Sequence, residues 1–291
     1  MKDFNDKVVV ITGGASGIGL AMAERFAREG AKIVLGDIER GALDKAVASL
    51  KSRGTQAIGV VTDVTRYEAL VELEKHAVEA FGKVHILCNN AGVGALEDLP
   101  LWELPLNDWR WTLAVNVWGV IHGIKAFVPG MIAHGEHGHV INTSSGNGGL
   151  IVLPNTPIYA TSKSAVSTIT EALHYQLSAI GSKIHVSVLY PGPNIVASNI
   201  FSAARNRPAE LAREVPQVIP PITLDMLKQM AEAGGKKLET TEPAEVAEQV
   251  IEGLRGHKYY ILPTSPDGDR RIRERTDAIL ARSTPKPPAL F

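Results

Sequence analysis

The 291-residue chain predicts an α/β fold: a parallel sheet covered by helices on both faces. Three observations carry this. Short β-branched or apolar runs alternate with segments of helical composition. The runs are apolar at consecutive positions, as in strands buried on both sides. Glycine-rich or polar residues follow where the runs end, which is where open parallel sheets bind ligands.

Val8 to Thr12 is a β-branched run, followed by Gly13-Gly14-Ala15-Ser16-Gly17-Ile18-Gly19 and then by Leu20 to Ala27, which has helical period. Between a strand and a helix, such glycines let the backbone approach a pyrophosphate, and the helix N-terminus offers it free N–H groups. The spacing is G-x3-G-x-G and not G-x-G-x-x-G. The next strand, Lys32 to Gly36, ends in Asp37, eighteen residues after Gly19. A Rossmann unit places there the carboxylate that bonds the adenosine ribose. That charge repels a 2′-phosphate, and neither Ile38 nor Ser16 is basic, so NAD is favoured over NADP.

The alternation continues with a helix over 39–53, a strand over 57–62 closing at Asp63-Val64, a helix over 65–81, and a strand over 84–88 closing at Asn89-Asn90-Ala91-Gly92. Residues 106–134 read as one or two helices, with Asn107 or Asp108 as N-cap and Gly135 past the end. Within them Trp109, Trp111 and Trp118 read as packing or subunit-contact residues, and Trp111 and Trp118, seven apart, should share a face. The fifth strand, 139–143, runs into Thr143-Ser144-Ser145-Gly146-Asn147-Gly148-Gly149; the sixth, 183–190, runs into Pro191-Gly192. A helix from Thr241-Glu242-Pro243 to Gly253 and a last strand over 258–263 complete the pattern.

Thirty basic and 31 acidic residues leave no bulk charge to attract nucleic acid or an anionic membrane. A single cysteine, Cys88, fits a reducing compartment. The N-terminus has no signal-peptide pattern, and no apolar run approaches 18 residues, so a cytoplasmic protein is expected. His134, His137 and His139 lack a cysteine or clustered carboxylate and read as a polar turn, so no metal site is expected.

Tyr159-Ala160-Thr161-Ser162-Lys163 puts a phenol and an ammonium one helical turn apart. At its ordinary pKa near 10, only roughly 0.1% of a tyrosine is phenolate at pH 7. A positive charge about 4 Å away in a partly buried site offers on the order of 4 kcal/mol, enough to make the pair a proton-transfer device.

Together, the turn from Thr12 to Gly19, Asn89-Asn90-Ala91-Gly92, Asn116, Ser145, Tyr159-x3-Lys163 and Pro191-Gly192 resemble, in order and rough spacing, the short-chain dehydrogenase/reductase family. The resemblance is close over about residues 5–200. It implies a Rossmann-like, doubly wound, seven-stranded parallel sheet of order 3-2-1-4-5-6-7, and an enzyme that interconverts a secondary alcohol and a ketone with NAD. It implies that Tyr159, Lys163, Ser145 and Asn116 are catalytic, with Ser144 as the alternative serine. It implies that NAD is held by Gly13, Ser16, Gly17, Ile18, Gly19, Asp37, Asp63, Val64, Asn90, Ala91, Gly92, Tyr159, Lys163, Pro191, Gly192 and Ile195. After Pro191 the chain departs from the family pattern. By strict count Asn194 and Val196 take the places that hold the nicotinamide carboxamide, and a turn two residues longer would put Ser198 there.

Residues 1–291 are read as one domain, with 199–240 as a substrate lid, punctuated by Pro208, Pro216, Pro220 and Pro221 around a short helix over 224–233. Residues 267–291 are a C-terminal extension whose Arg270, Arg271, Arg273 and Arg275 read as a solvated helix face. Leu96, Leu150, Ile151, Val152 and Leu153 suggest a mainly apolar substrate, aromatic or cyclic alcohols among the options. A homodimer or homotetramer is expected. The alternatives are an NADP-dependent ketone reductase and a dinucleotide-binding sensor without catalysis.

Overall fold

The computed structural model describes residues 1–94, 97–219, 223–235 and 237–288, so Leu96, Pro220 and Pro221 lie outside the described residues. Within them are nine strands: β1 (Val8–Thr12), β2 (Lys32–Asp37), β3 (Ala57–Val61), β4 (Ile86–Asn89), β5 (Gly138–Thr143), β6 (Ile184–Leu189), β7 (Ile195–Val196), β8 (Thr240–Thr241) and β9 (Tyr260–Ile261). Seven form one parallel sheet in the order β3-β2-β1-β4-β5-β6-β9, the order expected, with β9 in the seventh place. The short β7 and β8 pair separately, in parallel.

The helices are α1 (Gly17–Arg28), α2 (Arg40–Ser52), α3 (Tyr67–Phe81), α4 (Leu106–Leu113), α5 (Gly119–Ala133), α6 (Gly146–Gly149), α7 (Pro157–Ala179), α8 (Leu224–Ala233), α9 (Pro243–Arg255) and α10 (Pro266–Ala281). Strand alternation sorts the core into two layers. Val9, Ile11, Ile33 and Leu35 pack with Met22 and Phe26 of α1, Leu43 of α2 and Val250 of α9. Val8, Val10 and Val34 point the other way, onto Leu70 of α3, Phe127 of α5 and Leu173 of α7. Each fully buried side chain of this kind contributes about 1.5–3 kcal/mol, so β1 is fixed from both faces.

The region 106–134 departs from expectation in three ways. Its N-cap is Pro105, and Asp108 is instead fully buried inside the first turn. Between α4 and α5 the helix winds as a π-helix over Ala114–Trp118, with the Gly119 N–H reaching back to the Ala114 carbonyl. One inserted residue rotates the downstream helix by about 100° relative to α4. Trp111 is therefore buried while Trp118 is 54% exposed, and the two do not share a face. The continuous run Leu106–Ala133 is also long and apolar enough to cross a membrane. Counting only unbroken apolar stretches misses it, because single polar residues interrupt it; here it packs on α3, α7 and β4.

A buried amide ladder ties the layers together. Asn89 Nδ2 donates to Asn142 Oδ1 at 2.8 Å, and Asn142 Nδ2 donates to Thr170 Oγ1 of α7 at 3.0 Å. Gly123 of α5 leaves room for this, since a Cβ there would lie 2.0 Å from Asn89 Oδ1. Gly123→Ala is expected to destabilise the protein by about 2–3 kcal/mol through overpacking, read as a lower urea midpoint. An unchanged midpoint would show that the ladder yields freely.

Candidate active site

A cleft of about 1350 Å³ opens at the carboxyl ends of the central strands. Every residue named above as catalytic or cofactor-binding lines it except Gly19 and Asn116, which lie behind its wall. The glycine turn is shaped from beneath. Gly13 and Gly17 have φ of +62° and +52°, and a Cβ on Gly19 would fall 2.0 Å from the Gly13 carbonyl oxygen. Asn90 Nδ2 donates to the carbonyls of Thr12 at 3.1 Å and Gly13 at 3.3 Å, while Thr12 Oγ1 accepts from the N–H groups of Asn90 and Ala91 at 3.0 and 3.2 Å. Asn90 thus braces the turn.

Ser16 is the N-cap of α1, but its side chain makes no cap bond, and the first turn carries no acidic residue. The positive end of the helix therefore faces the cleft. Asp37 accepts from the N–H of Ala15 at 2.9 Å and of Glu39 at 3.0 Å, which fixes its carboxylate at the cleft wall. Asp63 accepts from the Thr65 N–H and hydroxyl at 3.0 and 2.8 Å, holding the start of the next loop. On the opposite wall Gln249 Nε2 donates to the Gly192 carbonyl at 2.9 Å, and Ile195 sits in β7. The Asn194 N–H is taken by Thr241 Oγ1 at 3.1 Å, whereas Ser198 lies against Gly17, so the longer turn brings its hydroxyl residue to the glycine loop.

α7 carries the reactive group. It starts at Pro157, and its first free N–H groups, those of Ile158 and Tyr159, donate to Glu97 Oε2 and Oε1 at 2.7 and 3.0 Å. Lys163 is 3% exposed; its Nζ donates to the Thr143 carbonyl at 2.9 Å and lies 5.6 Å from the centre of the Tyr159 ring. The Ser145 hydroxyl lies beside the Tyr159 phenol and favours its ionised form. Ser144 instead turns into α7, donating to the Lys163 carbonyl at 2.8 Å and meeting Ser167 Oγ at 2.8 Å. Geometry thus separates the two serines. Asn116 sits in the π-helical turn, accepts from the Val93 N–H at 2.8 Å, and donates to the Val93 carbonyl and Ser162 Oγ at 2.9 Å each.

The electrostatics differ from the sequence expectation. Burial pushes the Tyr159 phenol above its ordinary value, and the nearby Ser145 hydroxyl only partly opposes this. Burial lowers Lys163 to about 8. The ammonium's hydrogen bond goes to a carbonyl, and the fold alone does not produce the lowered phenol that the Tyr/Lys spacing suggested. Glu97 is raised to about 7, mainly by burial, against the pull of its two N–H bonds.

Sequence reading missed Glu97, because a carboxylate that caps a helix 60 residues away leaves no local pattern. The C-terminal helix was expected, but not its place in the cleft wall. Asp267, Arg271 and Ile272 of α10 line the cleft, Arg271 pairs with Asp267, and Arg275 donates to the Leu150 carbonyl at 2.7 Å, so this face is only partly solvated. Val152 was expected in the pocket but is 48% exposed outside it, while Leu150, Ile151 and Leu153 do line it. Among the described residues, no group of three or more His, Cys, Asp or Glu side chains is placed to hold a metal ion. His134 Nε2 lies 2.8 Å from the Val84 carbonyl oxygen and His139 Nε2 2.7 Å from Ser187 Oγ.

Such a cleft over a doubly wound sheet, with a tyrosine, a lysine and a serine at one end, is the site of a nucleotide-dependent oxidoreductase class. The chain belongs to the short-chain dehydrogenase/reductase family: the family model for short chain dehydrogenase matches residues 7–207. It is an oxidoreductase acting on CH–OH donors. A short-chain dehydrogenase/reductase from Burkholderia phymatum, solved in complex with NAD, superposes with a TM-score of 0.90 at 39% identity over 100% of both chains. A CLA biosynthesis dehydrogenase/reductase of Lactiplantibacillus plantarum is 32% identical over 98% of this chain and 97% of its own. A C alpha-dehydrogenase of Sphingobium sp. is 34% identical over 98% of this chain and 89% of its own.

The buried lysine makes a stability prediction. With a folded-state value near 8 against 10.5 unfolded, Lys163 binds fewer protons in the folded protein between those pH values, so its stability rises with pH through that window. Below pH 8 the full penalty, about 3 kcal/mol, is present. Lys163→Met should remove it while leaving the Thr143 carbonyl without its donor, a loss of about 1 kcal/mol. The expected net gain is about 2 kcal/mol at pH 7, shrinking above pH 8 in denaturant titrations. A variant less stable than wild type at pH 7 would contradict the assignment.

Proposed function

We propose that the protein is an NAD-dependent dehydrogenase that interconverts a secondary alcohol and a ketone. The observation that carries this is the convergence of the Tyr159 phenol, Ser145 and the buried Lys163 in one cleft, with the Lys163 ammonium 5.6 Å from the phenol ring centre. NAD, when bound, supplies the hydride acceptor and a positive nicotinamide ring. The residues fit it. The open N-terminus of α1 and the Gly13–Ile18 turn suit a pyrophosphate, and Asp37, already fixed by two N–H groups, suits ribose hydroxyls and repels a 2′-phosphate. Asp63 and Val64 border the adenine end, and Asn90 to Gly92 with Pro191, Gly192 and Ile195 border the middle of the cleft.

In this reading Tyr159, ionised to the phenolate, takes the substrate hydroxyl proton on Oη and becomes the phenol. Ser145 Oγ donates to the substrate oxygen and so fixes it beside the phenol. Lys163 contributes positive charge near the ring, and Asn116, its amide tied to Val93 and Ser162, positions the wall around them. The segment 199–240 acts as a lid, since Ile200, Phe201, Ala203 and Leu211 face the cleft. With Leu150, Ile151 and Leu153 these make the substrate end mainly apolar, which suits aryl or cyclic secondary alcohols.

Tyr159→Phe should lower kcat by at least about 10²-fold while NAD binding, read by calorimetry, stays within about twofold. Near-wild-type turnover would remove Tyr159 from the proton-transfer role. Asp37→Ser should narrow the preference for NAD over NADP at least about tenfold; an enzyme that already favours NADP would replace this reading with the NADP-linked reductase.

A further inference from the structure

Glu97 and Asp98 are adjacent on the link between β4 and α4, and they hold opposite parts of the molecule. Glu97 accepts the N–H groups of Ile158 and Tyr159, the residues that open α7. Asp98 faces the 199–219 segment: it accepts from Arg213 Nη1 at 3.1 Å and from the Val218 N–H at 2.7 Å, and a second Arg213 nitrogen closes a bidentate pair. Arg213 Nε also donates to Asp108 Oδ2 at 3.0 Å, and Arg207 from the same segment bonds Asp108 Oδ1 at 2.5 Å. The Asp98 and Asp108 side chains are fully buried, and those of Arg213 and Arg207 are 11% and 12% exposed. This is not a loose surface pairing. Because Arg213 bridges Asp98 and Asp108, lifting the segment away would take the partner from both carboxylates together.

We infer that Glu97 is a positioning residue for Tyr159, and that the Glu97-Asp98 step couples it to the lid, so that seating Arg213 sets the phenol in place. Arg213 holds Asp98, Asp98 sets the adjoining Glu97, and the two Glu97 oxygens fix the first turn of α7 from which Tyr159 projects. A substrate that holds the segment down over itself thereby keeps the reacting geometry complete, and a raised segment loosens the cap of α7. The inference rests on the reading of Tyr159 as the proton-transfer group and of 199–240 as a lid. Its structural half can be read without turnover.

Two measurements on the full-length protein test it. The first is amide hydrogen exchange of Ile158 and Tyr159. Glu97→Ala should speed it at least tenfold with the middle of α7 unchanged, Glu97→Gln, with one oxygen left to accept, should restore protection at only one of the two amides, and Arg213→Lys should speed it measurably. Arg213→Lys keeps the charge and folds more readily than Arg213→Ala, but it cannot hold Asp98 and Asp108 together. Wild-type protection in Arg213→Lys or in Glu97→Ala overturns the inference. The second is NADH formation from an aryl and cyclic secondary alcohol panel. Glu97→Ala should lower kcat at least tenfold with NAD affinity within twofold, and Arg213→Lys added to Glu97→Ala should lower it no further. Losses that multiply in the double variant, or an Arg213→Lys effect confined to KM, overturn the coupling. A wild type that oxidises none of the alcohols counts against the function reading, and the exchange experiment alone then decides the inference.

Discussion

The site depends on how the first two turns of α7 are held. Three bonds fix them from below and one carboxylate from the end. Lys163 Nζ reaches the Thr143 carbonyl, Ser144 Oγ reaches the Lys163 carbonyl, Ser162 Oγ is held by Asn116, and Glu97 caps the N–H groups of Ile158 and Tyr159. The end of β5, the π-helical turn and the loop after β4 thus converge on one helix start. The sheet supplies rigid strand ends, and the helix projects the phenol over them.

That arrangement places charge and hydroxyl groups where burial works against them. A buried lysine and a raised phenol are unfavourable in a resting fold, and both sit at the reacting end of the cleft. Such groups destabilise the fold in exchange for chemistry. The rest of the chain compensates: two apolar layers bury β1 from both sides, and the amide ladder from Asn89 to Thr170 joins β4, β5 and α7.

What was legible in the sequence was what is local. Strand runs, the glycine turn, Asp37 at its strand end and the Tyr159/Lys163 spacing each lie within a few residues of the element that positions them, and each reaches the cleft. The choice between Ser145 and Ser144 was not legible, since it turns on Ser144 bonding the Lys163 carbonyl and Ser167 of α7. Long-range partners were not legible. Glu97, the Asp98 and Asp108 pairs with Arg213 and Arg207, and the α10 wall join residues about 60 to 125 apart in sequence. The π turn leaves helical composition unchanged, so composition alone does not show it or the turning of Trp118 away from Trp111. The rise of the phenol in the fold without cofactor was not legible either, because it follows from the desolvation of both groups and not from the nearness of a cation alone.

Ultraviolet difference titration of the Tyr159 phenol, wild type against Tyr159→Phe, with and without NAD, tests the central claim most directly. The account predicts that without NAD this phenol ionises above the ordinary tyrosine value of about 10, as burial dictates, and that bound NAD brings it down. A phenol that ionises in the same range with and without NAD would contradict the claim that the fold and the cofactor together make Tyr159 the proton acceptor.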